Sequence, residues 1–588
     1  MNASLSTPLC WLFWLVSLSV FGQDTITRKE PSLLAKYVKV SGGLNAYAGF
    51  YTANGIAGRN QPAPIGLSGQ VTIVLPQGLS IPIAAVLGNQ GASFTVRQPF
   101  NQFGLSPTYK WVTVHAGYRN VTFSPFTLAG HTFLGGGVEL NPGRLRFGAI
   151  YGRFNNAISG TLADANVLPS YGRTGYAVKL GYGKPNNYID LTMLRANDDS
   201  ASIPSVPQSA TQTVTPAENL VVGITSRLLI VRYFTVEVDA ALSAYTRDVR
   251  AGRIEAEGSN PVVRLFGKLY TPRLSTQLTQ AVQASIGYRD KWGGLKLQYK
   301  RIDPNFQTMG AYYFQSDIES YAIAPSLNLL ENKLRLSGSY GVQFDNLANS
   351  RNVRTGRTIG SLVVSYNPAS KFGFDLQLSN YGISQQAGLR PVIDTLRLAQ
   401  NNFSATANLR YTVQKTDVVQ SVNLTATRQQ LSDLNPSTAA QTENTNLNAN
   451  LSYTYQQTTT GWGLTGMLTY TQTNLPVAST LGLPDSTNVP GGVPPAINNG
   501  IVRFYGPTLG VNQSFLKNKI STSANVSYLV NQQLGVTGKV LTASLSGTYQ
   551  VAKRQTISAN LYYLNTDTGI AAQQFNELRG NLGYGISF

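Results

Sequence analysis

The chain has 588 residues and a formal net charge of +19 from 46 basic and 27 acidic side chains, yet charged residues make up only 12% of it. An ordinary soluble domain carries about 25%, so a string of conventional soluble domains is a poor fit. The basic residues are scattered singly, which argues against nucleic acid as a partner. The one cysteine, Cys10, lies near the start, so the rest of the chain can build neither a disulfide framework nor a thiolate metal site.

Residues 1–22 read as a secretory signal peptide. The run Leu9-Cys10-Trp11-Leu12-Phe13-Trp14-Leu15-Val16 continues through Leu18, Val20 and Phe21. It is shorter than the ~20 apolar residues of a membrane-spanning helix but suits an export h-region. Val20 and Gly22 give an acceptable cleavage pattern before Gln23, although Met1–Pro8 lacks Lys and Arg. Cys10 precedes the apolar run, so a lipid anchor is not expected. Residues 23–37 read as a short periplasmic segment and residues 38–588 as one domain. No later apolar run is long enough for a transmembrane helix. A membrane-spanning reading therefore demands a closed β-barrel, since open sheet edges cannot be satisfied in hydrocarbon.

From Val38 onward the chain alternates with period two, as strands do. Leu145, Phe147, Ala149 and Tyr151 oppose Arg146 and Gly148; Leu334, Leu336, Gly338 and Tyr340 oppose Arg335, Ser337 and Ser339. Leu447, Ala449, Leu451 and Tyr453 oppose Asn448, Asn450 and Ser452. Tight turns are expected near Pro76–Gly78, Pro107, Asn141–Gly143, Lys184-Pro185, Arg227–Leu229, Asp290–Gly293, Glu331-Asn332, Asn367–Lys371, Gln414-Lys415, Thr458–Gly461, Lys517-Asn518 and Ala552–Arg554. Longer connections fall between them, near Ala196–Pro216, Arg247–Ser275, Ser384–Gln400, Gln429–Thr442 and Thr473–Asn499. Twelve tight turns and thirteen loops make about 26 strands, within a range of 22–26. Soluble sandwiches have no reason to keep every second connection short, whereas membrane barrels do. Tyr366, Tyr411, Tyr453, Tyr455 and Tyr549 precede tight turns, and Tyr340, Tyr381, Tyr528 and Tyr563 lie about a membrane crossing beyond them, as two aromatic girdles would.

Charged strand residues are assigned inward, because Arg or Lys facing lipid at mid-bilayer costs about 2–4 kcal/mol. Arg146, Lys179, Asp190, Glu237, Asp239, Lys296, Lys300, Arg335, Asp375 and Arg410 are the lumen-lining candidates. Their positive excess favours anionic solutes. A barrel this wide needs constriction by loops, lumen side chains or a partner. His115 is expected on the lumen face and His131 near a rim. Neither belongs to a G-x-S-x-G context, so no catalytic residue, metal or cofactor is expected.

The chain ends Leu578 to Phe588, with Leu582, Tyr584, Ile586 and Phe588 on one side of an extended strand. This ending resembles the C-terminal strand of Gram-negative outer-membrane β-barrels, where it is the signal read by the barrel-assembly machinery. The resemblance implies an all-β, antiparallel up-and-down transmembrane barrel in contact with outer-membrane lipid and lipopolysaccharide. TonB-dependent receptors are similar in barrel size but carry a plug domain for which residues 23–37 leave no space. The function implied is porin-like passive transport. The alternatives are a barrel subunit of a larger export or uptake assembly plugged by a partner, and a surface adhesin or lipopolysaccharide-binding scaffold. An outer-membrane lipid hydrolase, dependent on His115 or His131, ranks behind them.

Overall fold

The computed structural model describes residues 38–588 other than 77–78, 89–101, 159–168, 204–213, 255–269, 313–314, 394, 396, 477–499, 517, 534–535, 570–573 and 588. The export signal at 1–22, the segment 23–37 and Phe588 lie outside the described residues.

The first strands are β1 (Lys39–Asn54), β2 (Ile65–Val74), β3 (Ser80–Gly88), β4 (Gln102–Leu105), β5 (Thr108–Tyr109), β6 (Val112–Thr122) and β7 (Ala129–Leu140). β4 and β5 both bridge β3 and β6, so they are two pieces of one interrupted wall strand. Next come β8 (Leu145–Asn155), β9 (Arg173–Lys184), β10 (Asn187–Asp198), β11 (Glu218–Ile230), β12 (Phe234–Thr246), β13 (Thr276–Arg289), β14 (Gly293–Ile302) and β15 (Ile318–Leu329). The later wall holds β16 (Leu334–Asp345), β17 (Val353–Ala369), β18 (Phe372–Ala387), β19 (Ala399–Gln414), β20 (Val418–Asp433) and β21 (Asn444–Gln457). It ends with β22 (Trp462–Leu475), β23 (Gly500–Phe515), β24 (Ile520–Gln533), β25 (Val536–Ala552), β26 (Gln555–Asp567) and β27 (Phe575–Ser587). A short helix, α1 (Pro436–Thr442), joins β20 to β21, with the Asn435 side chain capping it by accepting from Ser437 N at 3.0 Å.

Each strand pairs antiparallel with its neighbours in sequence. β1 pairs with β27 from Gly43↔Ser587 to Asn54↔Asn576, which closes the sheet and leaves no edge. With β4 and β5 counted as one, the wall has 26 strands. Lys39 lies opposite Val74 at the mouth of the first tight turn, so the start of β1 and the end of β27 share the tight-turn rim.

The strands flanking all twelve expected tight turns pair as hairpins, with two of the reversals displaced from the expected positions. Pro107 breaks the strand instead of reversing it, because it cannot donate to the ladder, and the reversal falls at Lys110-Trp111. The turn expected at Arg227–Leu229 falls at Val231–Tyr233, because the apolar run Leu228–Ile230 continues the ladder to Ile230↔Phe234. Turns in the later wall use left-handed residues suited to them, such as Asn332 (φ 67°), Asn518 (φ 67°) and Gly461 (φ 69°).

Register carries one set of side chains around the whole wall. Leu180, Leu191, Ile224, Ile286, Leu297, Tyr340, Leu451, Leu468, Leu509, Val526, Leu545 and Leu582 share an exposed apolar face. Tyr584 and Ile586 share that face with Leu582. The opposite face carries Ser, Thr, Asn and Gln, together with the buried groups described next. Tyr381 departs from the expected girdle: it lies opposite Ile359 and Asn402, on the polar face.

Candidate functional site

The polar face differs sharply between two parts of the wall. From β6 to β15 it is packed. Connections 123–128 (β6 to β7) and, between β14 and β15, 303–312 fold back against it and meet in a parallel bridge, Leu128↔Gly310. Phe126, Leu128 and Phe306 are almost fully buried against Ile150, Ala177, Leu194, Val221, Ala241, Ala281 and Ile302 from seven neighbouring strands. Phe126 and Phe306 meet edge to face, with centroids 6.2 Å apart. The wall is narrowed to admit them. A Cβ on Gly148 would stand 2.9 Å from the Phe123 ring, and one on Gly223 would stand 3.1 Å from Thr127 Cγ2.

Hydrogen bonds fix the insert. The Thr308 hydroxyl donates to Thr127 O at 2.6 Å, and Ser243 donates to Gln307 O at 2.6 Å. Met309 N donates to Asn219 Oδ1 at 2.9 Å. His131 is buried beside the insert, its ring stacked 4.0 Å from that of Tyr312 and close to Phe154. This explains a histidine at that position without any chemistry. In a nearby connection, Tyr270 donates to Glu218 O at 3.0 Å, and burial pushes its phenol up to about 12.

Below the insert, toward the tight turns, lies a belt of charges. Arg146 grips Asp190 with two bonds of 2.7 and 2.9 Å, its guanidinium 4.3 Å from the Tyr188 ring centroid. Lys179 donates to Glu139 Oε2 at 3.1 Å and stands 4.8 Å from the Phe123 ring. Glu237 accepts from Lys296 at 3.0 Å and from Ser285 at 3.1 Å, with Arg227 at 3.5 Å. Register puts Lys300 opposite Gln283 and Ser320 on the same face, with no acidic partner among the described residues. Asp239 Oδ1 is buried without a hydrogen bond.

Of the remaining sequence candidates, Asp375 accepts from Ser365 at 2.5 Å and Arg410 reaches Asn367 at 3.3 Å. Arg335 is exposed. These three lie on the polar face near the tight-turn rim, apart from the belt.

Two charged belt members, Glu139 and Arg227, escaped the sequence reading of the lumen. Glu139 joins Lys179 to His115, whose Nε2 lies 3.1 Å from Glu139 Oε1, and His115 Nδ1 lies 2.7 Å from Ser106 Oγ. Serine, imidazole and carboxylate in one chain are the groups a hydrolase uses. Here Ser106 is only 5% exposed. A substrate carbonyl has no approach to its Oγ, and the chain instead satisfies polar groups buried where Pro107 interrupts the strand.

Comparison with known proteins finds similarity at low sequence identity. No family model matches it, and no curated protein matches it. Among solved structures it is similar to the translocation pore of the P pilus usher PapC, at 12% identity and TM-score 0.37, over 93% of this chain and 99% of that one. It is also similar to the outer membrane protein OprD from Pseudomonas aeruginosa, at 12% identity and TM-score 0.28, over 70% of this chain and 93% of that one. A third is OccAB4 from Acinetobacter baumannii, at 11% identity and TM-score 0.29, over 69% and 100%.

The second part of the polar face, β21 to β26, carries no Asp, Glu, Lys or Arg among the described residues. Amides and hydroxyls pair across it instead. Asn446 donates to Thr473 at 2.8 Å, Asn448 to Thr471 at 2.7 Å and Asn512 to Gln456 at 3.0 Å, while Ser523 and Ser546 lie 2.6 Å apart. The site is therefore a neutral polar wall facing a packed, ion-paired one.

Proposed function

We propose that this protein is an outer-membrane β-barrel channel for the passive passage of small polar solutes, with the polar face as its lumen. The observation that supports this best is the closed 26-strand wall with an apolar band around one face and, opposite it, a neutral stretch that the folded-in described connections do not cover. An apolar exterior requires lipid around it, and a polar interior requires water. The exported chain would then reach the outer membrane through its signal peptide, with Leu582, Tyr584, Ile586 and Phe588 read by the assembly machinery. Outer-membrane lipid and lipopolysaccharide would surround it.

The lumen field is weakly positive. Glu139, Asp190 and Glu237 are tied to cations. Arg119, Lys300, Arg335 and Arg410, which have no carboxylate within ion-pair distance among the described residues, outnumber the lumen-face candidates Asp239 and Asp375 that pair with no cation there. Anions should therefore pass somewhat more readily than cations. Planar-bilayer recording on the refolded chain under a salt gradient tests this: the expected result is a large current with a small anion preference. An electrically silent barrel would replace the reading with that of a subunit plugged by a partner.

A further inference from the structure

Toward its long-loop border the apolar face gives way to charge: by register it carries the facing pairs Arg301–Glu319 and Lys539–Asp567, the ion pair Arg195–Glu218, and Arg153 and Arg354. On β20, Val422 and Leu424 share their face with Arg428, and on β23, Ile501, Tyr505 and Leu509 share theirs with Arg503. Register links the two arginines in a single row that crosses six strands: Arg428↔Leu447↔Gln472↔Arg503↔Gln532↔Thr537. Neither arginine pairs with a carboxylate among the described residues. Arg503 Nε donates to Gln472 Oε1 at 3.2 Å, and Arg428 Nη2 donates to Gln430 Oε1 at 3.1 Å. Tyr470 and Tyr505 flank the row and bond Gln472 at 2.7 Å and Gln532 at 3.2 Å.

Outward arginines in the hydrocarbon would cost about 2–4 kcal/mol each, falling to roughly 0–1 at its border. Arg428 lies 10 residues from the tight-turn end of β20 (428 minus 418) and Arg503 12 residues from that of β23 (515 minus 503). At ~3.3 Å per residue and a tilt of about 40°, both stand roughly 25–30 Å above the turns, at the far border of the apolar band. There a guanidinium with its fork unfilled meets lipid headgroups and matches phosphate in two-point geometry.

We infer that this outward row is a docking surface for a bis-phosphorylated disaccharide lipid headgroup, an inference that rests on the membrane-spanning reading above. Three strand spacings separate the arginines by about 14 Å, too far for one phosphate to bridge. A phosphate at each end of a disaccharide reaches both, and Gln472, in the row between the arginines, offers its amide to the sugar hydroxyls.

The test uses the full refolded chain in detergent, titrated with bis-phosphorylated lipid A, monophosphorylated lipid A or phosphatidylglycerol, and bound lipid counted by native mass spectrometry. R428Q/R503Q should lower affinity for the bis-phosphorylated lipid at least tenfold, and the unmodified chain should hold the monophosphorylated lipid more weakly and phosphatidylglycerol weakest. If R428Q/R503Q does not refold, R428K/R503K keeps the charge, removes the fork and should lose several-fold. Unchanged affinity in the variant, or equal retention of phosphatidylglycerol, overturns the proposal. Lipid retention by a barrel that conducts nothing would refute the transport reading alone.

Discussion

Phe306→Ala should unlock the insert and widen the path through the barrel. Phe306 is 1% exposed and packs on Phe126 at the centre of the buried cluster; truncating such a ring costs about 3–5 kcal/mol. What then holds the segment is chiefly four hydrogen bonds, Thr308 to Thr127 O, Ser243 to Gln307 O, Met309 N to Asn219 Oδ1 and Ala129 N to Gly310 O. At about 0.5–1.5 kcal/mol net each they total roughly 2–6 kcal/mol, comparable with what was removed. The wall itself does not depend on this ring, because its ladder closes independently through β1 and β27. The assay is single-channel recording: the variant should show larger conductance steps and added flicker, while electrophoretic heat-modifiability shows an intact barrel. Conductance and noise identical to the parent would refute the idea that these two connections constrict the lumen.

Three further outcomes follow from the same geometry. Asp190→Asn leaves Arg146 facing a neutral partner in a site where the Asp190 side chain is 2% exposed, so thermal unfolding in detergent should show a loss of about 3 kcal/mol; a loss below about 0.5 kcal/mol would mean that water already solvates the pair. Lys300→Glu reverses the one belt cation without an acidic partner, and the zero-current potential under a salt gradient should move toward cation selectivity, with no movement meaning that Lys300 is off the ion path. Leu561→Arg puts a cation on the exposed apolar face at mid-strand; refolding equilibria in bilayers should shift by about 2–4 kcal/mol, whereas Leu561→Val should shift them little.

Strand number and facing were legible in the sequence because period-two alternation is a local property. Asn448 beside Leu447, or Arg335 beside Leu336, declares its face without knowledge of its neighbours. The two displaced turns also have local causes. Pro107 reads equally as a turn residue and as a strand break, and Leu228–Ile230 is an apolar run whose end no glycine or proline marks. The constriction was not legible. Sequence length pointed to the long connections, yet the described segments that fold inward are the short Phe123-Ser124-Pro125-Phe126-Thr127-Leu128 and the stretch beginning Asp303-Pro304-Asn305-Phe306. Their signal was composition: aromatic and aliphatic residues in connections on the long-loop rim, where a solvated loop would be polar. Glu139 carried a similar signal as a lone carboxylate between Val138 and Leu140, but its bonds to His115 and Lys179 join residues 24 and 40 positions away, which no local pattern reveals. The outward arginines escaped because every strand cation was assigned inward on energetic grounds that hold at mid-bilayer and lapse at its border.

The central claim is that the polar face meets water and the opposite face meets lipid, and adjacent residues of β21 test it directly. The chain's one cysteine, Cys10, lies in the expected export signal, so single cysteines can be placed at Asn450 and at Leu451 in the exported form. With the barrel in a planar bilayer, a charged water-soluble thiol reagent should label Asn450→Cys quickly and lower its current, and leave Leu451→Cys unlabelled. Labelling of Leu451→Cys with Asn450→Cys inert would contradict the account.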